Sequence, residues 1–144
     1  MDLVERSALV AHSAERMCAL VEDIESYPRF LPWCRSTHVR LRDGGRMIAS
    51  LHIEYRGVRQ AFTTENVRTG HVIAMRLVDG PFRALDGTWR FAPLGNDACK
   101  VELLLAYQLA SPMLARLIGP VFDGIANTMV DSFVLRAATV YAAA

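Results

Sequence analysis

The sequence predicts an α+β fold in which one curved antiparallel sheet packs against a long C-terminal helix. Three observations predict it. From Trp33 to Leu109 the hydrophobic period is two, interrupted every 10–14 residues by turn residues. After Ser111 the period changes to three and four. The length of 144 residues suits one domain, so residues 1–144 are read as a single unit. A sheet with one dry face needs a cover, and an apolar-striped helix supplies it.

The elements follow in order. Leu3-Val4 and Ala8–Ala11 mark a strand over 3–11. Ser13 is a good N-cap for a helix over 13–22, with Met17, Leu20 and Val21 on its apolar side. Tyr27-Pro28-Arg29-Phe30-Leu31-Pro32-Trp33 holds two prolines, which push the residues before them out of helical geometry, so it reads as an irregular connector. Thr37, Val39 and Leu41 then alternate with His38, Arg40 and Arg42 up to the turn Asp43-Gly44-Gly45. Met47 to Tyr55, Val58 to Arg68, Ile73 to Leu77, Leu85 to Phe91 and Cys99 to Leu109 are five further strands. Ser111-Pro112 starts the last helix, with Pro at its first position. Gly119-Pro120 predicts a short leading turn and a kink before a helix running to about Tyr141.

Composition narrows the function. Hydrophobic residues are 52% and charged residues 22%, which excludes a disordered chain. The net charge of +1 announces no nucleic-acid binder, and DNA is not an expected partner. The N-terminus lacks the pattern of a signal peptide, and the apolar run Leu103–Tyr107 is far too short to span a bilayer. Three spaced cysteines, Cys18, Cys34 and Cys99, read as reduced thiols in the cytoplasm.

Chemical motifs are absent. No phosphate-binding glycine loop, nucleophile elbow or zinc-helix motif occurs. Cys34 and His38 are too few for a metal site, so no metal is expected. Glu22, Asp23 and Glu25 read as solvated charge at a helix end. No Ser or Cys is placed to make any His an obvious general base, so no catalytic residue and no required cofactor is assigned.

Two features point to binding instead. Trp33, Tyr55, Phe62, Phe82, Leu85, Trp89, Phe91, Tyr107, Phe122, Met129 and Phe133 fall on dry faces or adjoining loops. They fill a core or line a cavity for a hydrophobic ligand, and sequence does not separate the two. By alternation, the opposite sheet face carries Arg40, Arg42, Arg46, Arg76, Arg90 and Lys100 against Glu54, Asp86 and Glu102. Arg40, Arg42, Arg76 and Arg90 are the expected contacts if that face meets RNA or an anionic surface. Gly80-Pro81-Phe82, or Met113, Leu114, Leu117 and Ile118 with Arg116, would gate a cavity and touch a membrane surface transiently.

These residues also carry a resemblance. The run Tyr27-Pro28-Arg29-Phe30-Leu31-Pro32-Trp33-Cys34, then Phe62-Thr63-Thr64, Asp79-Gly80-Pro81-Phe82 and Leu85-x-Gly87-x-Trp89-x-Phe91, resembles the START-like (polyketide cyclase/dehydrase) superfamily. Gly119-x-Val121-Phe122 and Met129-Val130-x-Ser132-Phe133-x-x-Arg136-Ala137 agree. More narrowly, the chain looks like the branch holding RatA-type proteins and mitochondrial coenzyme Q-binding proteins. The resemblance implies a helix-grip fold, with the sheet wrapped around the C-terminal helix over a cavity. It implies no catalytic residue. The reading drawn from it is a non-enzymatic protein holding ubiquinone or a similar lipid in support of respiration, peripheral at the inner membrane or free in the cytoplasm. The alternative it implies is a toxin that binds the large ribosomal subunit and blocks subunit joining.

Overall fold

The computed structural model describes residues 1–142. Nine-residue β1 (Asp2–Val10) is followed by α1 (Ala14–Glu22) and a 3-10 turn over Ile24–Arg29. Six strands come next: β2 (Cys34–Asp43), β3 (Arg46–Tyr55), β4 (Val58–Thr69), β5 (Val72–Asp79), β6 (Phe82–Pro93) and β7 (Cys99–Leu109). Helix α2 (Pro112–Val140) closes the chain. The strands form one antiparallel sheet in the order β1-β7-β6-β5-β4-β3-β2. Each hairpin neighbour in sequence is a neighbour in space, and only β1 crosses over to pair with β7.

Both helix starts are capped as their sequences require. Ser13 Oγ accepts from the Arg16 amide at 3.1 Å, and Ser111 Oγ accepts from the Leu114 amide at 3.1 Å. Pro112 occupies the first turn, where a missing N–H costs nothing. The expected kink divides no helix: α2 is continuous through Pro120. Proline withholds one donor and frees the carbonyl of Arg116, an exposed residue where water can satisfy it. Met113, Leu114, Leu117 and Ile118 therefore belong to the same rod as the rest of α2.

Alternation sets the two faces. Val101, Leu103, Leu105 and Tyr107 of β7 and Leu85, Trp89 and Phe91 of β6 are buried on the concave side against α2. Gly87 lies on that side, where a Cβ would come within 2.7 Å of Met75 Cε and 3.0 Å of Leu105 Cδ1. Its missing side chain lets neighbouring strands bring bulky residues to one spot. One bulge breaks the alternation. The β2–β3 register shifts between Val39 and Leu41, so Arg42 pairs with buried Met47 and Leu41 with Ile48. Cross-strand partners share a face, so Arg42 lies on the concave side. The expectation that it joins the polar face is corrected: an extra residue at the bulge inverts every later side chain of the strand.

Aromatic rings form two clusters along α2. Phe62, Phe82, Tyr107 and Phe122 meet edge to face, with Tyr107–Phe122 centroids 4.7 Å apart. Tyr27, Phe30 and Trp89 surround Phe133 with centroids 5.3–5.4 Å from it. The buried Tyr27 hydroxyl donates to the Val21 carbonyl at 2.5 Å, tying the connector to α1.

Candidate functional site

The two aromatic clusters leave a gap between them. It is an interior cavity of about 60 Å³, walled by β3–β7 on one side and α2 on the other. Six residues named from sequence line it: Trp33, Phe62, Leu85, Trp89, Phe122 and Met129. The others stand elsewhere. Phe82 meets a void of about 10 Å³ nearer the start of α2, and Tyr55 lines an outer groove. Phe91, Tyr107 and Phe133 are at most 1% exposed and act as core. The Tyr107 hydroxyl instead reaches outward to donate to Asp123 Oδ1 at 3.2 Å.

Sequence reasoning passed over Tyr27, Thr64, Asn66, Met75 and Ile125, which also line the cavity. Selecting aromatic residues left out the polar ones, although Thr64 and Asn66 alternate in phase with Phe62 on β4. They are the polar strip of the wall, with Thr64 Oγ1 donating to Asn66 Oδ1 at 3.0 Å. Ile125 borders the interior cavity, the void beside Phe82 and the outer groove together. Pro81, Phe82 and Ile118, drawn from both expected gates, line the small void between the loop and α2.

A larger groove of about 600 Å³ lies between the end of α1 and the β2–β3 hairpin. Tyr27, Asn66 and Met75 line both it and the interior cavity. Its rim is made of ion pairs. Arg42 holds Glu25 with two hydrogen bonds of 2.8 and 2.9 Å, and Arg68 bridges Glu15 and Glu22. The acidic cluster read as solvated charge thus includes two anchored carboxylates, Glu22 and Glu25. The thiols are inert by burial: Cys18 is pushed up to about 12 and Cys34 to about 11. Cys34 and His38 are also separated, since Cys34 pairs with concave-side Ile53 and His38 with outer-face Ser50.

Several cations of the convex sheet face are paired. Glu65 receives Arg46 Nε at 2.5 Å and Arg76 at 2.7 Å, and Lys100 lies 3.9 Å from Glu102. Arg40 and Arg90 are exposed there. The surplus read from alternation shrinks because Arg42 leaves the face while Glu65 and Glu5 join it, although Arg59 also joins, opposite Glu54.

The Arg46 and Arg76 bonds hold the Glu65 carboxyl below the ordinary glutamate range. A lowered folded-state value contributes stability that is full above the unfolded value and lost as pH falls through the folded one. Melting temperature should therefore drop on acidification below about pH 4.5. In Glu65→Gln that acid-side drop becomes shallower, while the neutral-pH melting temperature is lower. A pH series of thermal melts checks both.

The comparisons agree with this architecture. The family model described as polyketide cyclase / dehydrase and lipid transport matches residues 10–134. A Vibrio cholerae protein named ribosome association toxin RatA is 45% identical over 98% of this chain and 99% of its own. Coenzyme Q-binding protein COQ10 homolog B of Xenopus laevis is 28% identical over 94% of this chain and 57% of its own. TTHA0849 of Thermus thermophilus superposes with a TM-score of 0.78 at 23% identity, covering 94% of this chain and 99% of that one. The Zhui aromatase/cyclase of Streptomyces sp. R1128 superposes at 0.77 and 16% identity, covering 94% and 93%. With a helix-grip sheet around α2 and these matches along nearly its whole length, the chain belongs to the polyketide cyclase/dehydrase and lipid transport family of START-like proteins, in the branch of RatA-type and coenzyme Q-binding proteins.

Proposed function

We propose that this is a non-enzymatic, cytoplasmic protein that associates with the large ribosomal subunit and hinders subunit joining. One observation carries the reading: end-to-end similarity, at 45% identity, to a protein named for ribosome association. The likeness to the coenzyme Q-binding protein is weaker and spans little more than half of that protein. The alternative drawn from sequence thus takes precedence over the ubiquinone reading. The cavity geometry supports that order. A dry apolar cavity of about 150 Å³ admits a benzene, and this one measures about 60 Å³. Its polar lining, Thr64 and Asn66, offers hydrogen bonds but no acid–base pair. Purified protein added to separated subunits should lower the yield of joined ribosomes on a sucrose gradient in proportion to dose. An undiminished joined peak at saturating protein would refute the reading.

A second reading, an apolar ligand such as ubiquinone in the cavity, draws support from the lining itself. Trp89, Phe122, Leu105 and Met129 face one another across a gap that close packing would otherwise fill. A ligand bound only by the folded state raises stability by about 2.7 kcal/mol at one hundred times its dissociation constant. Long-tailed quinones should then raise the melting temperature, and an unchanged melt would remove this reading.

A further inference from the structure

We infer that the surface meeting RNA is the groove between α2 and the Trp33 and Tyr55–Arg56 segments, and that it takes an unstacked nucleotide. This rests on the ribosome-association reading and names its contact. The groove holds about 220 Å³, walled by Pro32, Trp33, Tyr55 and Arg56 opposite Gly124 and Thr128 of α2.

Unpaired charge is available on this side of the molecule. The convex-face cations Arg46, Arg76 and Lys100 are spent on Glu65 and Glu102, which leaves Arg40 and Arg90 exposed there. Helix α2 is also sorted. Asp123 and Asn127 turn toward β1 and β7, where Tyr107 and Arg6 bond them. The groove wall of α2, Pro120, Gly124, Thr128 and Ser132, carries no acid, and Asp131 is exposed beside it. Among the described residues, Arg56, Arg116 and Arg136 form no ion pair.

Shape and chemistry select the occupant. Gly124 stands inside a helix, where glycine is disfavoured. A Cβ there would meet nothing within 4 Å, so no packing contact calls for it. Its effect is to leave the groove open. Arg56 sits in the left-handed region at φ 50°, beside Gly57 at 81°. Asn or Gly would suit that turn better. Its guanidinium lies over the Tyr55 ring, 5.1 Å from the centroid. The Trp33 indole N–H is buried without a partner, and so is Arg136 Nε, whose guanidinium covers Phe30 at 5.0 Å. A guanidinium over an aromatic ring, an unused N–H donor and an unpaired arginine are means by which proteins hold single-stranded bases and their phosphates.

The test measures binding to isolated large ribosomal subunits by pelleting, for wild type and four variants. Gly124→Leu fills the groove from open space, and Arg56→Asn removes the guanidinium with a residue the turn favours, so both fold with wild-type melting behaviour. Each should weaken binding about tenfold or more, the loss that follows when one base no longer stacks. Arg76→Gln and Arg90→Gln on the convex face should bind as wild type. In parallel, an unstructured oligoribonucleotide should shift the Trp33 indole N–H resonance, identified by its loss in Trp33→Phe. Groove variants that pellet like wild type would overturn the inference and leave ribosome association standing. Wild-type protein that fails to pellet would overturn both. Anionic phosphatidylglycerol vesicles that shift the same resonance where the oligonucleotide does not would also overturn it, assigning the groove to lipid head groups.

Discussion

Phe133→Ala will remove about 3–5 kcal/mol of folding stability, a large share of the 5–15 kcal/mol typical of a domain. Phe133 has no exposed surface. Its ring meets Tyr27, Phe30 and Trp89 edge to face at once. Those partners come from the connector after α1 and from the centre of the sheet, so one side chain joins three parts of the fold. They cannot close over the space, because the sheet fixes Trp89 and the Val21 hydrogen bond fixes Tyr27. The truncation thus leaves a void as well as losing transfer energy. Urea unfolding should show a lower midpoint with little change in slope. A loss below about 1 kcal/mol would mean that the site relaxes and that Phe133 does not organise the core.

Ile125→Ala will have the largest effect on the cavity. Its side chain is the shared wall of the interior cavity, the void beside Phe82 and the outer groove. Truncation joins the three spaces and should cost about 2–5 kcal/mol in the absence of ligand. The enlarged space is apolar, so small hydrophobic molecules should recover part of that loss. Thermal melts with benzene or a short-chain quinone should show a clear upward shift in Ile125→Ala and a much smaller one in wild type. Equal shifts would mean that the wild-type cavity already opens to such ligands.

Much of this architecture was legible in the chain. Periods of two and of three to four reflect which faces are dry, and hairpin turns leave little freedom in antiparallel order, so the sheet and α2 follow from local pattern. Ser13 and Ser111 announced their caps for the same local reason. What escaped was non-local. The bulge at Val39/Leu41 has no marker in residue type, yet it moves Arg42 across the sheet. Glu65 neutralises Arg46 and Arg76 only because β3, β4 and β5 bring three distant positions together. Continuity of α2 through Pro120 has no marker in residue type. Six residues named from sequence line the cavity. Aromatic size marks the residues around it, whereas its limits depend on Ile125, Met75 and the Thr64–Asn66 pair, which resemble ordinary strand and helix residues. The Tyr-Pro-x-Phe-Leu-Pro-Trp-Cys run was visible from the start, but its walls against α2 emerge only when Trp33 faces Gly124 across the groove.

The most direct test of ribosome association is co-sedimentation of the purified protein with isolated large and small subunits over a series of salt concentrations. Stoichiometric binding to the large subunit alone is expected, with affinity falling steeply as salt rises because arginine–phosphate contacts release counterions. Protein that stays in the supernatant with both subunits at low salt, or that binds both equally, would contradict it.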